Sequence, residues 1–268
     1  MSKSKGNVVT PVGLLERHGS DAVRYWAASG RPGTDTAFDE AQMKVGRRLA
    51  VKILNASRFV LGLGVADDVA AVTDALDRAM LAELATVVND ATSSFEGYDY
   101  ARALERAEKF FWTFCDDYLE LVKVRAYGEY GEQGANSARG ALAVALSTLL
   151  RLFAPFMPFT TEEVWSWWRP GSVHRSSWPV ATDLYAVCGD VDPRVLSTAA
   201  SVIRTVRKSK SDAKLSMRAE VERLTVRGSR SFLGLFEEAR HDVQAAGHIA
   251  QIDVVTTSED ALVAEVSL

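Results

Sequence analysis

Cysteine is almost missing. The 268 residues hold two, Cys115 and Cys188, far apart and outside any CxxC or Cys/His spacing. Neither a disulfide framework nor a zinc site follows from such a pair, and Cys115, inside an apolar helical pattern, is read as core. Histidine is nearly as scarce. His18, His174, His241 and His248 fall at helix ends or in a loop, without the Ser/His/Asp, Cys/His or paired-carboxylate company that nucleophilic or acid–base catalysis needs. No apolar run reaches the length of a membrane span and no signal-like stretch follows Met1, so a soluble, intracellular chain with no membrane partner is expected. A basic surplus is missing too: 31 Lys and Arg face 35 Asp and Glu, for a net charge of −4. That balance excludes a surface that binds polyanions everywhere and confines any nucleic-acid site to a local stripe. A dinucleotide fingerprint is also absent. Gly62-Leu63-Gly64 follows no strand and has the wrong spacing, so it is read as a turn.

What is present is helical periodicity. With 47% hydrophobic and 25% charged residues, the chain suits one large or two ordinary domains with a sizeable core. Thr10-Pro11 opens a first helix that Gly19 closes, and Ser20-Asp21 starts a second that ends before Gly30. From Glu40 to Leu61 the apolar stripe is Val45, Leu49, Ile53, Ala56 and Val60. Further helices are expected over Asp77–Phe95, over Tyr98–Tyr127 as one long element, and over Ser137–Phe153 after a loop from Gly128 to Gly134. The aromatics of the long element, among them Phe111, Phe114 and Tyr118, are read as core, because large apolar residues at helical spacing are ordinarily buried. Thr160-Thr161-Glu162-Glu163 resembles a capping box opening a short helix through Trp165, Trp167 and Trp168.

Pro179 to Asp192 reads as a linker. Beyond it come a helix over Pro193–Ser211, a strand from Glu220, one helix over Phe232–Ala246, and strands near Ile249–Val255 and Ala261–Val266. The fold class is therefore mainly α: an antiparallel helical bundle followed by a small α+β module. The expected divisions are 1–40, 41–180 and 190–268.

Two sets of basic residues stand out against the acidic background. Lys44, Arg47, Arg48, Asn55 and Arg58 share the polar side of the Glu40–Leu61 helix, which is either a solvated face or a face for nucleic acid. Arg204, Arg207 and Lys208 form a second set. No metal site is expected. The opening Met1-Ser2-Lys3-Ser4-Lys5-Gly6-Asn7 is either a solvated terminus or a loop offering cationic and hydroxyl donors to a polyphosphate.

The run from Asn7 to Trp26 resembles the segment that follows the KMSKS loop of class I aminoacyl-tRNA synthetases, with Lys3 matching the second lysine and the chain starting one residue inside the motif. The tract Leu150-Arg151-Leu152-Phe153-Ala154-Pro155-Phe156-Met157-Pro158-Phe159, continuing to Trp165, resembles the anticodon-binding bundle of class Ia members. Within that class, Ala22–Gly30, Gly33–Asp39 and Asn55–Val60 are most similar to the valine-specific branch. The resemblance covers about residues 1 to 180. It implies a part of an enzyme that activates valine with ATP and Mg and transfers it to its tRNA. On that reading Lys3 is catalytic, Ser2, Lys3 and Ser4 bind ATP, and Lys5 is left between ATP and solvent. The basic sets, Lys44, Arg47, Arg48, Asn55 and Arg58 with Arg204, Arg207 and Lys208, then bind valine-accepting tRNA. Catalytic and editing domains would be separate partners within the same protein, leaving this portion inactive alone and with no cofactor bound to it. An isoleucine-specific ligase and a non-catalytic helical RNA-binding or interaction protein are the alternatives.

Overall fold

The computed structural model describes residues 11–31, 33–35, 37–64, 69–258 and 261–268. Helices α1 (Pro11–His18), α2 (Ser20–Ala28), α3 (Glu40–Gly62), α4 (Ala75–Glu96), α5 (Tyr100–Thr113), α6 (Leu119–Ala126), α7 (Glu132–Phe153), α8 (Pro158–Ser166), α9 (Ala181–Cys188) and α10 (Arg194–Asp212) precede a small sheet. Strand β1 (Val221–Gly228), helices α11 (Arg230–Glu237) and α12 (Arg240–Gly247), and strands β2 (Ile249–Thr256) and β3 (Val263–Ser267) complete the order. The mainly α class with a terminal α+β module is what the sequence leads one to expect.

Two compact units emerge. One holds the described part of Met1–Leu61 with Val88–Glu108 and Leu146–Pro179; the other holds the described part of Gly62–Val87 with Lys109–Ala145 and Val180–Leu268. The division runs through α4, α5 and α7 instead of following the order of the sequence. A helix of 22 residues such as α4 is about 33 Å long at 1.5 Å per residue, long enough to serve two cores.

In the first unit, Gly46 of α3 lies against α2 so closely that a Cβ there would stand 2.7 Å from Tyr25 Cβ. Tyr25 is buried and its hydroxyl donates to Glu108 at 2.7 Å. Burial first, and the Glu108 contact second, push its pKa up. The N-terminus of α8 is capped from a distance. Asp21 of α2, itself buried, accepts from the backbone amides of Phe159 at 3.2 Å and Thr160 at 2.7 Å and from the Thr160 hydroxyl. The expected capping box at Thr160–Glu163 is thus corrected: α8 opens at Pro158, and Glu162 instead accepts from Ser172 and from the amide of Val173. Phe95 stacks on Phe156 and meets Trp178 edge-on, while the Trp178 indole donates to Thr92 at 2.8 Å.

In the second unit, β1 is the central strand, parallel to β2 and antiparallel to β3. A parallel pair needs a crossover, and α11 with α12 supplies it in place of the single helix expected, the chain breaking at buried Ala239. The expected linker after Pro179 contains α9, whose Ala181, Leu184 and Cys188 are buried; a stripe of three residues is too short to register as periodicity. The expected long helix is interrupted by a π-helical turn, Phe114–Tyr118, between α5 and α6. Helix α7 starts at Glu132, so Gly134 lies inside it, where a Cβ would meet the Arg125 side chain at 3.2 Å.

Arg125 is the centre of a buried charge cluster. Its guanidinium donates to Asp77 at 2.7 and 2.9 Å and to Asp242 at 3.0 Å, and Asp74 lies 3.4 Å away. Tyr118 and Ser137 donate to Asp77 at 2.7 and 2.6 Å. Burial, partly opposed by Arg125, lifts the Asp242 carboxyl to about 6. Asp74 is raised by burial and by the Asp77 charge.

Candidate nucleic-acid interface

Helix α3 turns Met43, Gly46, Leu49, Ile53, Ala56 and Val60 into its core. At 100° per residue, Lys44, Arg47, Arg48, Asn55 and Arg58 all fall within an arc of about 100° on the other side, and all are exposed. From residue 44 to residue 58 that stripe extends about 21 Å at 1.5 Å per residue. Beyond Glu40 the helix contains no acidic residue. Glu40 itself is occupied, accepting from His18 at 2.9 Å and pairing with Arg17 at 3.2 Å, and the His18 contact chiefly holds its carboxyl below the usual range. The stripe is therefore cationic without a neutralising neighbour on its own helix.

Two of its arginines are fixed. Arg47 donates to the backbone carbonyl of Arg17 in the last turn of α1, one of the groups that a helix end leaves without an intrahelical partner. Arg58 stands over the Trp167 ring, 5.4 Å from its centroid, and the Trp167 indole donates to Glu163 at 3.0 Å. This cation–π contact orients a guanidinium at one end of the stripe. Trp167 was missing from the sequence-based candidates. The tryptophan-rich run Trp165, Trp167 and Trp168 is the signal that points to it.

The second set sits on α10. Arg204 forms a bidentate pair with the buried carboxylate of Asp117, and Arg207 donates to the backbone carbonyl of Asp116 at 2.6 Å. Both acceptors lie in the π turn, so these arginines tie α10 to that turn. Lys208 is exposed. Ser2, Lys3 and Ser4 lie outside the described residues. No group of His, Cys, Asp and Glu suited to holding a metal ion occurs among the described residues, and no helix of theirs is long and apolar enough to cross a membrane.

The exposed stripe of α3 on a helical bundle offers the cationic groups that a nucleic-acid-docking class of domain uses, and comparison with known families makes the class specific. The family described as the anticodon-binding domain of tRNA ligase matches residues 77–226. The chain belongs to that family. It is similar along its entire length to the valine–tRNA ligase of Thermobifida fusca, at 59% identity over 274 residues, covering 30% of that relative. The valine–tRNA ligase of Salinispora tropica is 54% identical over 271 residues, which take in 94% of this chain and 32% of the relative. The chain thus spans about a third of the length of these curated relatives. Among solved structures, the ternary complex of Agrobacterium radiobacter K84 agnB2 LeuRS-tRNA-LeuAMS shares the fold, with a TM-score of 0.54 and 20% identity over 70% of this chain and 23% of that one. The matched family span takes in Arg204, Arg207 and Lys208 and leaves the α3 stripe outside.

Proposed function

We propose that this chain is the tRNA-binding portion of a cytoplasmic valine–tRNA ligase, docking valine-accepting tRNA through the α3 stripe. The observation that carries the reading is identity of 59% to a valine–tRNA ligase over all of this chain, joined by an exposed cationic face on α3, which precedes the span matched by the anticodon-binding family. The stripe suits RNA because phosphate contacts from Lys and Arg fix position, while splayed single-stranded bases are read by stacking and edge hydrogen bonds. Lys44, Arg47 and Arg48 are assigned to phosphates, and Asn55 with Arg58 to base edges. Arg204 and Arg207, already held by Asp117 and Asp116, are assigned a lesser share, with Lys208 as the freer cation of that set.

In the complete ligase, valine activation requires ATP with Mg and belongs to a catalytic domain, with an editing domain also joined to this portion. Lys3, flanked by Ser2 and Ser4, is proposed to meet the negative charge that builds on departing pyrophosphate, a role in which one preorganised cation contributes about 3 kcal/mol at the transition state.

Binding of the 268-residue chain to valine tRNA and to a second tRNA species, followed by filter retention, tests the docking reading. Tighter binding to valine tRNA, weakened by Asn55→Ala and Arg58→Ala, is expected. Equal affinity for both species would remove the anticodon assignment.

A further inference from the structure

The second unit contains a cavity of about 530 Å³ walled by α6, α10, the segment before β1 and the last turn of α12. That size falls within the usual range for small-molecule sites, roughly 300–1,000 Å³. Lys210 lines it although only 1% of the residue is exposed. Its ammonium donates to the carbonyls of Met217 at 3.0 Å and Gly247 at 2.8 Å. An ammonium has three donors, and among the described residues no third acceptor and no carboxylate partners it. Burial lowers its pKa. A buried cation without a counter-charge is costly, and an anion that enters beside it offsets the cost.

The rest of the wall favours the same kind of guest. Arg207, held in place by Asp116, lines the cavity, and so does Arg218, which is exposed and pairs with no carboxylate among the described residues. Of the two lining carboxylates, Glu120 is already paired with Lys123 at 3.6 Å; the other is Glu129. The lining also has a ring and a thioether in reach of a planar group: Tyr127 and Met217 are 58% and 48% exposed.

We propose that this cavity binds a nucleotide, its phosphate on Arg218 and Lys210 and its base against Tyr127 and Met217. The same chemistry is offered by a free mononucleotide and by an unstacked nucleotide of an RNA strand. The inference does not depend on tRNA docking at α3, since no residue of the stripe lines the cavity.

Isothermal titration of the 268-residue chain with adenosine monophosphate, inorganic phosphate and tRNA separates the possibilities. Adenosine monophosphate is expected to bind more tightly than inorganic phosphate. Arg218→Gln should weaken both by about tenfold, the size of one lost charge-assisted hydrogen bond, whereas Tyr127→Ala should weaken the nucleotide and leave phosphate unchanged. Both residues are exposed, so each variant is expected to fold. If tRNA binding alone responds to Arg218→Gln, the occupant is an RNA nucleotide; if the mononucleotide responds alone, it is a free one. Loss of tRNA binding by α3 variants with nucleotide binding intact would leave this site standing. Binding from neither source, or binding that both substitutions leave unchanged, overturns the proposal.

Discussion

Arg125 is outnumbered by the carboxylates around it. Asp74, Asp77 and Asp242 share one guanidinium, so burial raises the carboxyl of Asp242 to about 6. In the unfolded chain the same group titrates near 3.9. Between these values the folded protein binds more protons than the unfolded one, so this group's contribution is fully present below about 3.9 and is lost as pH rises through about 6. Urea unfolding across that window should show Asp242→Asn with a flatter pH dependence than the parent. Arg125→Met should cost about 3–5 kcal/mol at neutral pH, because it strands buried carboxylates, and less below about pH 6, where Asp242 is protonated. Equal losses at both pH values would show that the cluster is held by packing alone. None of this was legible in the sequence. The partners of Arg125 lie 48 and 117 positions away, and an arginine near a helix end reads as solvated. The α3 cations were legible because their spacing places them on one face without reference to any other element.

Elements followed the same rule. Helices α3, α4 and α10 were visible because long apolar stripes outweigh local ambiguity, whereas α9 is a single short stripe and α8 takes its cap from Asp21, far away in sequence. The π turn was hidden because Phe111, Phe114 and Tyr118 keep a helical burial pattern through it. Its chemistry appears only when Arg204 and Arg207 arrive from α10 at Asp117 and Asp116. Glycine shows how an element's neighbour sets the sign of a substitution. Gly13 in α1 has nothing within 4 Å of a Cβ, so Gly13→Ala should gain up to about 1 kcal/mol from helix propensity. Gly46→Ala would place its Cβ 2.7 Å from Tyr25 Cβ, an atom close to the backbone that has little room to move. The cost of overpacking, about 1–3 kcal/mol, then exceeds the propensity gain. Thermal unfolding of the two variants should move the midpoint in opposite directions, and a rise for Gly46→Ala would mean that α2 and α3 can separate without penalty.

For the whole molecule, a net charge of −4 means that RNA is attracted only where cations gather and repelled over much of the remaining surface. Binding should accordingly depend on salt through a small number of contacts. Lys44, Arg47 and Arg48 each neutralising one phosphate would give log K against log salt a slope of about −2 to −3, at roughly 0.7–0.9 per contact. Full participation of Arg204, Arg207 and Lys208 would bring it to about −4 to −5. The first value is expected, since the Arg204 and Arg207 charges are already met by Asp117. Replacing Lys44, Arg47 and Arg48 together by Gln should flatten the slope by about 2–3 while lowering stability by about 1 kcal/mol at most, because all three are exposed and only Arg47 gives up a hydrogen bond, the one to the Arg17 carbonyl. Replacing Arg204 and Arg207 should do the reverse, lowering stability by baring buried Asp117 and changing the slope little. A slope that the α3 triple variant leaves untouched would move the docking face away from α3.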